Sequence, residues 1–209
     1  MIARIVAWVL LALFVVVAFG LRCIRNTSSC PNATIPSRRS TLARSGLVYP
    51  EMADSSGPDG CQLKDVVRVT PSDDMRFSAP FLATCPRALG MAYFEHQYLQ
   101  PAALETYGAR VARVEHVGSY ACRNVNHQQD AALSQHATAN AIDLTGFVLD
   151  DSRRITLARW DDASSLDGTF LRRVHENACR SFDTTLGPDY NALHRTHFHV
   201  DMGPYRIYR

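Results

Sequence analysis

The N-terminus restricts this chain more than any other feature. Arg4 is followed by Ile5–Leu21, IVAWVLLALFVVVAFGL, a run without a charged residue. A helix packed on a globular core keeps a polar face, and this run has none. At about 1.5 Å per residue it would reach roughly 25 Å, the short edge of a bilayer span. Two readings stay open for residues 1–21. One is an uncut signal anchor; the other is a signal peptide cleaved after Gly20, where Ala18 and Gly20 supply small residues before the cut. Both carry the rest of the chain across a membrane.

An exported chain folds where thiols oxidise, and six cysteines suit that setting: Cys23, Cys30, Cys61, Cys85, Cys122 and Cys179. None forms C-x-x-C, so neither a zinc ribbon nor a thioredoxin-type motif is expected. Sequence does not fix the connectivity. Proximity favours Cys23–Cys30 and Cys61–Cys85, leaving Cys122–Cys179 as a bridge between distant parts. Residues 22–57 are rich in Ser, Pro, Thr, Asn and Arg and read as a linker. Residues 58–209 read as the globular domain. The formal charge is only +2 and the basic residues are scattered, so no nucleic-acid partner is expected.

Within the domain, Val66–Val69 reads as a strand. Pro86–Gln97 reads as a helix with Pro86 in its first turn, and a new helical turn is expected from Pro101. Arg110–Val117 alternates and reads as a strand. Ala141–Leu149 and Ile155–Ala158 read as a hairpin across Asp150-Asp151-Ser152-Arg153. Leu166–Phe182 has helical apolar spacing, and Thr196–Asp201 alternates as a strand. The sum is an α+β domain: a small, mostly antiparallel sheet with flanking helices.

Two clusters carry chemistry. In the tail, His197 and His199 stand two apart and share one strand face, with Phe198 and Val200 on the other. Upstream, Ser134-Gln135-His136-Ala137-Thr138-Ala139-Asn140-Ala141-Ile142-Asp143 sets a histidine seven residues before an aspartate. Small residues between them let the loop fold back beside the strand. Together the clusters supply a His/His/Asp donor set, and catalytic zinc takes three protein ligands while keeping a position open for water. H-E-x-x-H is absent. The tail also fits H-x-H-x-D, as in metallo-β-lactamase-like hydrolases, but Met202 stands where that motif needs another histidine.

Gly118-Ser119-Tyr120-Ala121-Cys122-Arg123, the S-x-H-x-x-x-x-A-x-D run and the closing H-x-x-H-F-H-x-D resemble the bacterial extensin-like C-terminal domain family over about residues 60–204. That family in turn resembles the zinc D,D-carboxypeptidases and endopeptidases that cleave peptidoglycan stem peptides. The resemblance implies a zinc-peptidase-like fold and one zinc ion held by His136, Asp143 and His199. His197 would serve as the base, and Arg123 would hold substrate or the developing oxyanion. Ala139 stands where the peptidase pattern has Gly, which a turn with positive φ would tolerate poorly. Ser134 is expected to shape the His136 loop by a local hydrogen bond. Asp201 is a candidate to orient a ligand histidine. Tyr120, His194 and Asn191 are candidates to touch substrate. The expected partners are peptidoglycan peptides and, through the N-terminal run, the inner membrane, with the domain in the periplasm or secreted. A wall-binding module without activity is the competing reading.

Overall fold

The computed structural model describes residues 45–209 except 58–59 and 73–75. The Ile5–Leu21 run, Cys23, Cys30 and the linker as far as residue 44 lie outside the described residues. No described helix is long and apolar enough to cross a membrane.

The fold is an α+β arrangement of small sheets and helices. In chain order it has a short hairpin of β1 (Ser55–Ser56) and β2 (Gln62–Leu63), then β3 (Val66–Val69) and β4 (Phe81–Thr84). Helices α1 (Cys85–Phe94) and α2 (Gln100–Tyr107) follow, then β5 (Val111–His116), β6 (Ala141–Leu149) and β7 (Arg154–Thr156). The chain ends with α3 (Leu166–Ala178), β8 (Thr184–Leu186), β9 (Phe198–Asp201) and β10 (Ile207–Tyr208). The main sheet runs β10-β8-β9-β6-β5, with β7 also paired to β6. Every pairing in it is antiparallel except β10 with β8.

Strand β6 is the spine. Its first half pairs β9, its second half pairs β7 on the same edge, and β5 takes the other edge. Ile142, Leu144, Phe147 and Leu149 reach the core. That is a two-residue period with one slip, and the slip coincides with a register shift where Glu115 pairs Gly146 and His116 pairs Leu144. Before the slip, Asp143 points away from the core. On β9, Phe198 and Val200 enter the core, which turns His199 to the same outer face as Asp143.

Helix α2 begins at Gln100 with Pro101 in its first turn, as expected, but α1 does not break before it: the chain continues from α1 through a π-turn, Glu95–Leu99, into α2. The wider turn accommodates the N–H that proline lacks. Gln100 ties this segment to β5, donating to Val111 O at 2.8 Å and accepting from Val111 N at 3.0 Å. Helix α3 stops at Ala178, and a turn then brings Phe182 into the core against Phe94.

The disulfides also differ from the proximity expectation. Cys61 bonds to Cys122, 61 positions further along the chain, and not to Cys85. Cys85 is a buried thiol donating to Asp65 O at 3.6 Å. Cys179 is disulfide-bonded too, but not to Cys122. Sequence proximity misleads because β2 lies against the turn that carries His136, which brings Cys61 to the loop after β5.

Candidate metal centre

Three segments meet on the outer face of β6. Cross-strand register sets Asp143 opposite His199. His136 arrives from a 3₁₀ turn, Gln135–Thr138, that runs directly into β6. Ser134 caps that turn, its Oγ accepting from His136 N at 3.3 Å. Ala139 closes it at φ 55°, ψ 26°, a left-handed conformation that costs a non-glycine residue about 1–2 kcal/mol. The alanine thus adopts the positive φ that a non-glycine residue tolerates poorly. Asn140 braces the turn, accepting from Thr84 Oγ1 at 2.8 Å and donating to Gln135 Oε1 at 2.7 Å.

Hydrogen bonds settle which nitrogens face the centre. His136 Nδ1 lies 3.1 Å from Ser119 O, an acceptor, so Nδ1 carries hydrogen and Nε2 offers a lone pair. His199 Nε2 lies 2.9 Å from Asp201 Oδ2, which leaves Nδ1 facing inward. The other oxygen of Asp201 accepts from Gly203 N at 2.7 Å, locking the carboxylate. The inward atoms are His136 Nε2, His199 Nδ1 and Asp143 Oδ1. Their separations are 3.1 Å between the imidazoles, 3.3 Å from His136 to Asp143, and 3.1 Å from His199 to Asp143. Three lone-pair donors at these distances repel one another unless something positive sits among them.

A proton or a metal ion can do that. Burial opposes charge on His199, but the contacts to Asp143 and Asp201 outweigh it and lift His199 to about 9. Burial also opposes charge on Asp143, yet its contacts to His136 and His199 hold the carboxyl well below the usual range. Ligands about 2.0–2.1 Å from a tetrahedral ion stand about 3.3 Å apart, close to the observed spacings. His136, Asp143 and His199 could therefore hold such an ion, and they form the only His/Cys/Asp/Glu group of this compactness among the described residues.

The surroundings form a cleft of about 460 Å³. His197 Nε2 stands 3.5 Å from Asp143 Oδ1. His194 stacks 5.1 Å from His197, ring to ring, and its Nδ1 is 2.8 Å from Asn191 Oδ1. Burial, then the neighbouring histidines, pushes His194 down to about 4; burial also lowers His197, although Asp143 opposes the shift. Both rings are therefore neutral near pH 7. Arg123 lines the cleft and makes one long contact, 3.5 Å from Nη1 to Asn124 O, with its own loop. Ser134 and Asp201 line the cleft as well, whereas the exposed Tyr120 does not.

Sequence reasoning passed over the Ser119 carbonyl and the apolar cleft walls, and it named Asn191 only as a possible substrate contact. The carbonyl of Ser119 fixes the His136 tautomer, and a backbone group has no sequence signature. Asn191 caps a 3₁₀ turn, Ala192–His194, and holds His194 with the same oxygen; an Asn before a turn was a readable sign. Val125, Leu133, Tyr190, Leu193, Tyr205 and Ile207 are exposed apolar side chains on the cleft walls, contributed by segments far apart in the chain.

Residues 38–209 match the family model described as extensin-like protein C-terminus. No curated protein and no solved structure matches the chain.

Proposed function

We propose, from the premise that the chain belongs to the extensin-like C-terminus family, that it is a zinc-dependent hydrolase of peptidoglycan stem peptides or cross-links. The observation that carries this reading is the triangle of inward lone pairs on His136, Asp143 and His199, with edges of 3.1–3.3 Å. Two imidazoles and one carboxylate form a donor set that zinc accepts, with one tetrahedral position left over. The order S-x-H-x-x-x-x-A-x-D followed by H-x-H resembles the zinc D,D-peptidases and supports the choice of substrate.

When bound, zinc makes water nucleophilic near neutral pH and polarises a carbonyl. The net reaction breaks an amide C–N bond, adding hydroxyl to the acyl carbon and a proton to the leaving amine. His197, neutral and beside Asp143, accepts the proton from water and passes it on. Arg123, with no carboxylate partner among the described residues, offers its donors to the oxyanion or to a substrate carboxylate. Asn191 and Asp201 keep His194 and His199 in fixed orientation. The apolar cleft walls suit the alkyl side chains of a short peptide. The Cys61–Cys122 bridge and the bonded Cys179 agree with a domain held in the periplasm by an N-terminal anchor, or secreted.

The test is digestion of purified sacculi by the zinc-loaded full-length chain, with chelator and His136→Ala as controls. New muropeptides that vanish in both controls are expected. Sacculus binding without any product, unchanged in His197→Ala, would sink the enzyme reading and leave a wall-binding module.

A further inference from the structure

We infer that the Cys61–Cys122 disulfide is a positioning element of the metal centre, pinning the strap 117–123 whose backbone sets His136 and Asp143 in place. The inference rests on the metal-centre reading above.

The strap leaves β5 and belongs to no helix or strand. Yet its hydrogen bonds surround the donor set. Val117 N donates to Asp143 O at 3.0 Å, and Asp143 N donates to Gly118 O at 3.1 Å, so one ligand residue is held through both of its backbone groups. Ser119 O takes the His136 Nδ1 hydrogen at 3.1 Å. Ala121 N donates to His136 O at 3.2 Å, and Ser134 N donates to Arg123 O at 3.0 Å. One irregular segment therefore fixes the tautomer of His136, the backbone of two ligand residues and the cap of the ligand turn, and it also carries Arg123 into the cleft.

Such a segment keeps its place only if something holds it. Two anchors do. Ser119, almost fully buried, accepts from Leu82 N on β4 at 3.1 Å. Cys122 is bonded to Cys61, itself buried at the end of the β1–β2 hairpin, and β2 packs against the turn that bears His136. The bridge thus closes a triangle of hairpin, strap and ligand turn. Cutting it leaves the core strands paired but releases the strap at the residue next to Arg123. Groups that orient a ligand histidine through its second nitrogen typically shift metal affinity about 10–100-fold.

The experiment compares zinc affinities, by competition with a chromophoric chelator, for purified full-length wild type, Cys61→Ser/Cys122→Ser, Ser119→Ala and Cys179→Ser. Circular dichroism and urea midpoints report folding separately. Cys61→Ser/Cys122→Ser is expected to bind zinc at least tenfold more weakly, and Ser119→Ala a few-fold more weakly. Cys179, bonded elsewhere, does not itself line the cleft, and Cys179→Ser should bind as wild type does. Affinity within twofold of wild type in a folded double variant, or an equal loss in Cys179→Ser, overturns the inference. If the double variant fails to fold, Ser119→Ala decides alone, and unchanged affinity there is the overturning result. A wild type that takes up no zinc instead refutes the metal centre itself.

Discussion

If zinc binds as proposed, it competes with a proton for the space between His136, Asp143 and His199, and metal uptake becomes a proton-release reaction. In the metal-free chain the carboxylates of Asp143 and Asp201 outweigh burial and raise His199 to about 9. At pH 6.5 the inward Nδ1 is therefore protonated in almost every molecule, and zinc must displace that proton. We expect close to one proton released per zinc at pH 6.5, below the range near 7 in which water on zinc ionises. Affinity should rise about tenfold per pH unit toward pH 9, about 1.4 kcal/mol per unit, and then level off. The same proton stabilises the metal-free fold. Because the folded pKa is raised above the ordinary 6.5, that stability is complete below pH 6.5 and is lost as pH rises through about 9. The full loss is on the order of 3 kcal/mol. Titration calorimetry in buffers of different ionisation heat counts the protons, and chelator competition between pH 6.5 and 8.5 gives the slope. In Asp201→Asn one of the two carboxylates is gone, so the affinity profile should flatten at a lower pH. Zinc uptake without proton release at pH 6.5, with affinity constant up to pH 8.5, would refute the reasoning.

Three further outcomes follow from single residues. His175 is buried among Trp160, Phe198 and Tyr208, and desolvation pushes it down to about 4. Its contribution to stability is whole above pH 6.5 and is lost as pH falls through about 4, on the order of 3 kcal/mol; urea midpoints at pH 7 and pH 4.5 should show the decline, and His175→Phe should reduce it. Arg87 is fully buried in α1, its guanidinium 4.6 Å from the Phe81 ring centroid and without a hydrogen-bond partner among the described residues, and burial lowers it to about 9. Replacing it by Met should raise unfolding stability by about 1–3 kcal/mol in urea titrations at pH 7. Arg123→Ala should lower peptide turnover about 100- to 1000-fold while zinc content stays at one per chain, and Arg123→Lys should restore only part of the loss.

Much of this architecture was legible in the residues because period and patterning are local. The alternation of Ala141–Leu149 and of the tail marked β6 and β9, and the turn Asp150-Asp151-Ser152-Arg153 marked the β6–β7 hairpin. Strands β8 and β10 escaped because two or three residues carry no period, and β8 is buried along its whole length. The π-turn escaped because proline signals a break, whereas here the neighbouring turn widens around it. Disulfide pairing was unreadable because Cys61 and Cys122 meet only after β2 has packed beside the His136 turn. The donor residues could be named from their order, but what holds them could not, since the strap acts through backbone atoms that almost any residue would supply.

The placement of His199 shows how folding energy specifies the site. Strand side chains alternate strictly, so sliding β9 by one residue would bring Phe198 to the outer face and drive His199 into the core. Phe198 and Val200 are almost completely buried, and each such side chain contributes roughly 1.5–3 kcal/mol by leaving water. That apolar preference, unrelated to chemistry at the cleft, is what sets His199 opposite Asp143. Asp143 is held to the same standard by Ile142 and Leu144 on β6. His136 has no strand register to guide it, and of the three donor residues it depends most on capping, on a strained Ala139 and on the strap 117–123. Substitutions that loosen the centre while sparing the core should therefore act on His136 first, lowering metal affinity before they lower the unfolding midpoint.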